Sequence, residues 1–235
     1  MLLAAGALVG CVETTQQKNA RVQLQDDRLL ASRSPVRVMR ADPGVTVLAV
    51  RILRTRAGTA IAATLRNDGA RPVSDLPVSV GVQTSAGRLT YLNRQPELPY
   101  FETHVAGIAG KGQTTWVFTT ASRAPAGRAF ARVGVGAIPV DRRVTQLPAI
   151  ASSVTSVGRA GQRAIAAGHI TNRSSVSQTG LQVYAYALSG QRLVAAGTAT
   201  VSTLVSGTQA AVQIPLVGDP GSSALQLQIP PTNLR

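Results

Sequence analysis

The sequence predicts an all-β protein of two tandem β-sandwich domains, and three observations carry that prediction. Val, Thr and Gly are plentiful while straight-chain helix-forming runs are few, a balance that favours strands and tight turns. Short apolar alternations recur between turn signals made of Gly, Ser, Asn and Asp. One such pattern occurs twice in the 235 residues, each time over a small domain's length. Hydrophobic residues make up 44% of the chain, enough for packed cores, but aromatics are only 3%. The cores must therefore be built mainly from small and branched side chains.

The chain opens with ten apolar and small residues, Met-Leu-Leu-Ala-Ala-Gly-Ala-Leu-Val-Gly, and Cys11 follows. Ten residues of helix span about 15 Å, half a bilayer core, so residues 1–10 read as the remnant of a signal peptide. Cys11 is the single cysteine, so no thiol within the chain competes to pair with it. The tetrad Leu8-Val9-Gly10-Cys11 resembles the bacterial lipobox. The resemblance implies that the Cys11 thiol accepts diacylglycerol, that the small Gly10 admits the peptidase, and that the lipidated cysteine holds the protein on a membrane. No Lys or Arg precedes the run, so the basic start of such a signal is expected upstream of Met1. The competing reading is a buried apolar strand with an incidental cysteine.

Residues 12–44 show little sustained period, and Thr14-Thr15-Gln16-Gln17-Lys18-Asn19 is polar. With Cys11 they are expected to form a flexible tether, residues 11–44, reaching roughly 30 Å. A short helix around 20–30 is the alternative.

The body of the chain repeats itself. Ile61-Ala-Ala-Thr-Leu-Arg-Asn67 resembles Ile165-Ala-Ala-Gly-His-Ile-Thr-Asn172, and Arg-Ala-Gly precedes both, at Arg56 and Arg159. With Asn67 set against Asn172, Leu76-Pro-Val-Ser-Val-Gly-Val82 falls on Leu181-Gln-Val-Tyr-Ala-Tyr-Ala187. Their alternation puts Leu76, Val78, Val80 and Val82 on one face of a half-buried strand. Turn signals follow at Ser85-Ala-Gly-Arg88 and Ser189-Gly-Gln-Arg192. Gly112-Gln-Thr-Thr-Trp-Val-Phe118 then matches Gly207-Thr-Gln-Ala-Ala-Val-Gln-Ile214, and alternating strands at 129–137 and 224–229 close the copies. The domains expected are 45–138 and 151–235, joined by a linker at 139–150. Several short strands with this spacing predict immunoglobulin-like sandwiches.

This pattern resembles the FxLYD-type and related Ig-like modules of bacterial lipoproteins, over both domains. The family's aromatic strand motif is replaced here by Val78-Ser-Val-Gly-Val82 and Val183-Tyr-Ala-Tyr-Ala187. The resemblance implies an envelope location and leaves the activity open.

The chemistry is bounded mainly by exclusion. Two histidines and one cysteine offer no zinc-ligand spacing, and the ten acidic residues cluster only at Asp26-Asp27, so no metal site is expected. His169 adjoins Ile170, which matches inward Leu65, so His169 should face outward. Gly107-Ile-Ala-Gly-Lys-Gly112 lacks the first Gly and the Ser or Thr of a phosphate loop, and Gly134-Val-Gly136 lacks a dinucleotide site's third Gly. Glu102 and His104 could form an acid–base pair, but no nucleophile motif accompanies them. The expectation is therefore no catalytic residue and no cofactor, with a small hydrolase as the weakest reading.

One segment stands out as a binding candidate. The stretch 91–104 has no equivalent in the second copy and holds Tyr91, Arg94, Tyr100, Phe101 and His104. Loops on rigid sandwiches often carry function, and Tyr with Arg suits recognition. The alternative is that Tyr100 and Phe101 plug a core of small residues. Trp116, alternating with Phe118, should be core.

Net charge is +14, almost all the cations being Arg, and it is spread as +2 over 12–44, +7 over 45–138, +1 over 139–150 and +4 over 151–235. Without a Lys/Arg run or interleaved aromatics this predicts diffuse attraction to anionic surfaces, with no specific nucleic-acid partner. The sequence as a whole suggests a noncatalytic, membrane-anchored envelope lipoprotein that binds a protein or an anionic polymer. Its alternative is an accessory subunit presenting substrate or wall polymer to an envelope enzyme or transporter.

Overall fold

The structure, a computed structural model, describes residues 15–32, 35–137 and 140–234. Leu8, Val9, Gly10 and Cys11 lie outside the described residues. Among the described residues there is one α-helix, α1 (Thr15–Ser32), followed by strands and one 3₁₀ turn. The first half contains β1 (Val45–Thr55), β2 (Gly58–Asn67), β3 (Leu76–Gln83), β4 (Leu89–Tyr91), β5 (His104–Val105), β6 (Gln113–Thr120) and β7 (Arg128–Val133). The second contains β8 (Ile150–Ala160), β9 (Arg163–Asn172), β10 (Gln178–Ser189), β11 (Arg192–Leu204), β12 (Gln209–Gly218) and β13 (Leu225–Gln228). The protein is predominantly β, in antiparallel sheets.

In the first half a β1-β2-β6 sheet lies across from β4-β3-β7, with β5 also paired to β3. Ile61, Leu65, Val78, Val80, Trp116 and Phe118 share the core between them. The second half is one six-stranded path, β13-β10-β11-β12-β9-β8. Among the described strands no pairing joins the two halves.

The repeat read from the sequence has structural counterparts at its most diagnostic positions. Leu76, Val78, Val80 and Val82 are all buried, and so are Leu181, Val183, Ala185 and Ala187. Asn67 and Asn172 end equivalent strands and use their amides in the same way. Asn67 Nδ2 donates to the carbonyl of Arg71 four residues on at 2.7 Å, and its Oδ1 accepts from Gly69 N at 2.9 Å. Asn172 Nδ2 donates to Val176 O at 2.9 Å, and its Oδ1 accepts from Ser174 N at 3.0 Å. Each amide also reaches across the sheet, to Ala109 O in one case and Leu204 O in the other. A short side chain that both donates and accepts lets the chain leave the sheet without orphaning buried backbone groups.

The halves pack face to face. The face of β10 opposite Val183 and Ala185 carries Tyr184 and Tyr186, and both join the first half's core cluster with Leu193 and Ala196. At the matching positions of β3 stand Ser79 and Gly81. A Cβ on Gly81 would meet Thr90 O at 2.1 Å and the Phe130 ring at 2.9 Å, so no larger residue fits there. The β1-β2-β6 sheet is consequently covered on both faces, and almost all of β2 is buried. The corresponding edge strand β8 is exposed along nearly its whole length. Arg51 of β1 closes the rim by donating from Nε to Gln191 O at 2.9 Å and from Nη2 to the Gln191 side chain.

The expected flexible tether is corrected over its described part. Residues 15–32 are helical because Gln, Lys, Arg, Leu and Ala dominate and Gly and Pro are absent until Pro35. The chain then runs along the first half: Val36 is buried, Ala41 bridges Gly134, and Asp42 N donates to Val133 O at 3.0 Å. The closing strands are also shorter than the alternation suggested, ending at Val133 and Gln228.

Candidate functional site

Segment 91–104 is an excursion from a single strand. Partner numbers add to 172 where β3 pairs β4 (Gly81 with Tyr91) and to 181 where it pairs β5 (Leu76 with Val105). Nine residues have thus been inserted into a strand whose counterpart, β11, pairs with β10 continuously from Leu181 to Ala187. Asn93 mends the gap with its side chain. Its Oδ1 accepts from Val80 N at 2.9 Å, and its Nδ2 donates to Val78 O at 2.8 Å and Glu102 O at 3.2 Å. The amide takes the place of the missing strand backbone, and Asn93 is wholly buried.

The excursion has an outer tip and an inner end. Arg94, Gln95, Pro96 and Glu97 are exposed, while Phe101 and Thr103 are buried. Phe101 lies in a short 3₁₀ turn, Tyr100–Glu102. Its carbonyl accepts two hydrogen bonds, from Trp116 Nε1 at 3.1 Å and from Tyr184 Oη at 3.4 Å. Tyr100 packs edge-on to Phe101 at 5.0 Å and stacks flat on His104 at 4.0 Å.

The sequence-derived candidates therefore divide into two groups. Phe101, Tyr100 and His104 belong to the inner end. Burial lowers the His104 pKa to about 4, keeping the imidazole neutral, and its Nδ1 lies 2.9 Å from Thr103 Oγ1 and 3.2 Å from Tyr100 O. Burial also raises Glu102 above the usual carboxylate range and Tyr100 above the usual phenol range, the latter helped by the charge of Asp75. Tyr91 and Arg94 belong to the surface. The Arg94 guanidinium lies 3.9 Å over the Tyr91 ring, and Arg132 Nη1 donates to Tyr91 Oη at 3.3 Å. Tyr91 in turn meets Phe130 edge-on at 5.3 Å.

Sequence reasoning missed a charged group at the inner end, because Arg28 lies in what reads as a polar tether. Arg28 grips Asp75 with a two-pronged contact, Nε to Oδ1 at 2.9 Å and Nη2 to Oδ2 at 3.4 Å. Nη2 also donates to Thr232 O at 2.5 Å, and Nη1 lies 3.5 Å from Asn233 Oδ1. The guanidinium stands 4.9 Å from the Phe101 ring centre and 5.7 Å from that of Tyr100. Ser74 Oγ donates to Asp75 Oδ2 at 2.8 Å. Asp75 has φ of 54°, a left-handed conformation that Asp and Asn tolerate better than other side chains. The carboxy-terminal tail is held by Gln178, whose Oε1 accepts from Thr232 N at 2.8 Å and Asn233 N at 3.0 Å. Gly107 N adds a bond to Pro231 O at 3.0 Å. Neither Gln178, between Ser177 and Thr179, nor Asn233, after Thr232, is distinguished in the sequence from an ordinary polar surface residue.

The remaining motifs have local structural roles. Gly107–Gly112 is the turn before β6: a Cβ on Gly110 would meet Ala70 O at 2.1 Å, and Lys111 Nζ donates to Asp68 O at 2.6 Å. Trp116 is fully buried; so is Ile170, beside a half-exposed His169. Among the described residues no group of three or more His, Cys, Asp or Glu is placed to hold a metal, and no helix is long and apolar enough to cross a membrane. No protein-family model and no curated protein matches the chain.

Proposed function

We propose that the chain is a noncatalytic cell-envelope lipoprotein, lipidated at Cys11, whose two immunoglobulin-like halves act together as one rigid scaffold for an envelope protein or anionic polymer. The packing of Tyr184 and Tyr186 onto the β1-β2-β6 sheet carries this reading. It makes the second half a fixed extension of the first, as a spacer requires. The lipobox-like tetrad and the FxLYD-type resemblance support the location, outside the cytoplasmic membrane or in the periplasm or outer membrane. The contact surface proposed is the outer tip, where exposed Arg94 and Arg132 flank Tyr91. Cations held against an aromatic face suit an anionic polymer, which also favours an accessory subunit presenting such a polymer.

Mass spectrometry of the membrane-extracted protein tests the anchor: a diacylglyceryl-cysteine at Cys11, and release from membranes by Cys11→Ser, are expected. Co-purification tests the surface. Arg94→Ala with Arg132→Ala should lose the partner at unchanged melting temperature. An unlipidated Cys11, or full partner recovery with the double variant, would overturn the respective part.

A further inference from the structure

The described contacts of α1 with the body centre on the side chain of Arg28. Of the helix positions whose exposure is described, Arg28 alone is buried, at 7%, whereas Val22, Leu29 and Leu30 are more than half exposed. Around that side chain the body supplies a complete receptor for a guanidinium. Asp75, 3% exposed, offers both carboxylate oxygens, the main chain offers Thr232 O, and Asn233 adds an amide oxygen. Phe101 and Tyr100 add two aromatic rings. Every receptor group comes from outside α1: Asp75 and the ring pair from the first half, Thr232 and Asn233 from the tail that Gln178 holds in place. A planar fork with several donors matches this set, and an ammonium does not.

We propose that the cleft among Asp75, Phe101 and Asn233 is a binding site for an arginine side chain presented on a helix. Arg28 is its exchangeable resident, and the site accepts α1 of a second copy when its own helix is withdrawn. Tethering through a short connector supplies an effective concentration of about 1 mM, so docking within one chain implies binding between chains at or below that concentration.

The test uses the full-length chain with Arg28→Ala, its folding checked by melting, titrated with a synthetic peptide of residues 15–32. The native peptide should bind saturably below about 1 mM. It should bind at least about 10-fold more tightly than the same peptide carrying Ala at position 28, and more tightly than one carrying Lys. Adding Asp75→Asn, which keeps the left-handed backbone and removes the charge, should abolish the difference. If Arg28→Ala does not fold, Arg28→Lys serves as the receiving chain. Equal binding of the Arg and Ala peptides, or no saturation by about 1 mM, overturns the proposal.

Discussion

Trp116 and Tyr184 donate to the same carbonyl oxygen, that of Phe101, although one belongs to the first half of the chain and the other to the second. Both donors are buried, so neither can turn to water if the acceptor is lost. The inserted segment thereby ties the two halves at a point where the second copy's own strand runs without interruption.

A shared acceptor implies coupling. Tyr184→Phe alone leaves the carbonyl one donor and should cost about 1 kcal/mol, and Trp116→Phe should cost more because it also empties ring volume. The double variant should lose more than the two single losses combined, since only then is the carbonyl unsatisfied. Denaturant unfolding of the four proteins measures the cycle, and strict additivity would remove the shared-acceptor account.

The Arg28–Asp75 pair makes a prediction about α1. Arg28→Ala should leave the β-sheets folded while amides of α1 lose hydrogen-exchange protection, with a global stability loss of about 2 kcal/mol. Unchanged protection over 18–30 would show that something other than Arg28 holds the helix.

His104 gives a pH dependence of known sign. Its folded pKa is about 4 against an ordinary 6.5, so between these values the unfolded chain binds a proton that the native chain refuses. Stability from this group should be full above pH 6.5 and fall as pH drops toward 4. Glu102, raised by burial, acts oppositely, its contribution falling as pH rises through the carboxylate range. His104→Gln should flatten the stability slope between pH 6.5 and 4, and an identical slope in wild type and variant contradicts the neutral, half-buried histidine.

The excursion should be divisible by mutagenesis. Replacing 94–97 with a short Gly-rich turn removes exposed residues and should leave the melting temperature nearly unchanged. Phe101→Ala should cost about 3 kcal/mol because it empties a buried site. Similar losses from both would mean that the tip is as structural as the inner end.

Much of this architecture is legible from residues alone, and the reasons are local. Leu76 to Val82 and Leu181 to Ala187 share apolar residues at every second position, and a period of two is enough to assign that face of each strand. It does not reveal the second buried face that Tyr184 and Tyr186 give β10. Asn67 and Asn172 mark equivalent strand ends because an amide can satisfy a turn. The excursion shows itself as an unmatched length, but its division into surface and core does not, since Tyr100 and Phe101 read alike in a string. Arg28 was hidden for a different reason. Its partners lie 47 and 204 or more residues away, so nothing in its neighbourhood distinguishes it from a solvated cation. Asn93 likewise acts on β3 from a position that only the chain's return reveals.

Hydrogen exchange on the wild type and Tyr184→Ala, resolved along the chain, tests most directly whether the two halves form one rigid body. Tyr184 sits on β10 but is buried among first-half residues. Packing of the two halves as one body predicts that the substitution lowers protection in β2 and β6 together with β10. Loss confined to 150–234, with β2 and β6 protected as in wild type, would show two independent units and contradict it.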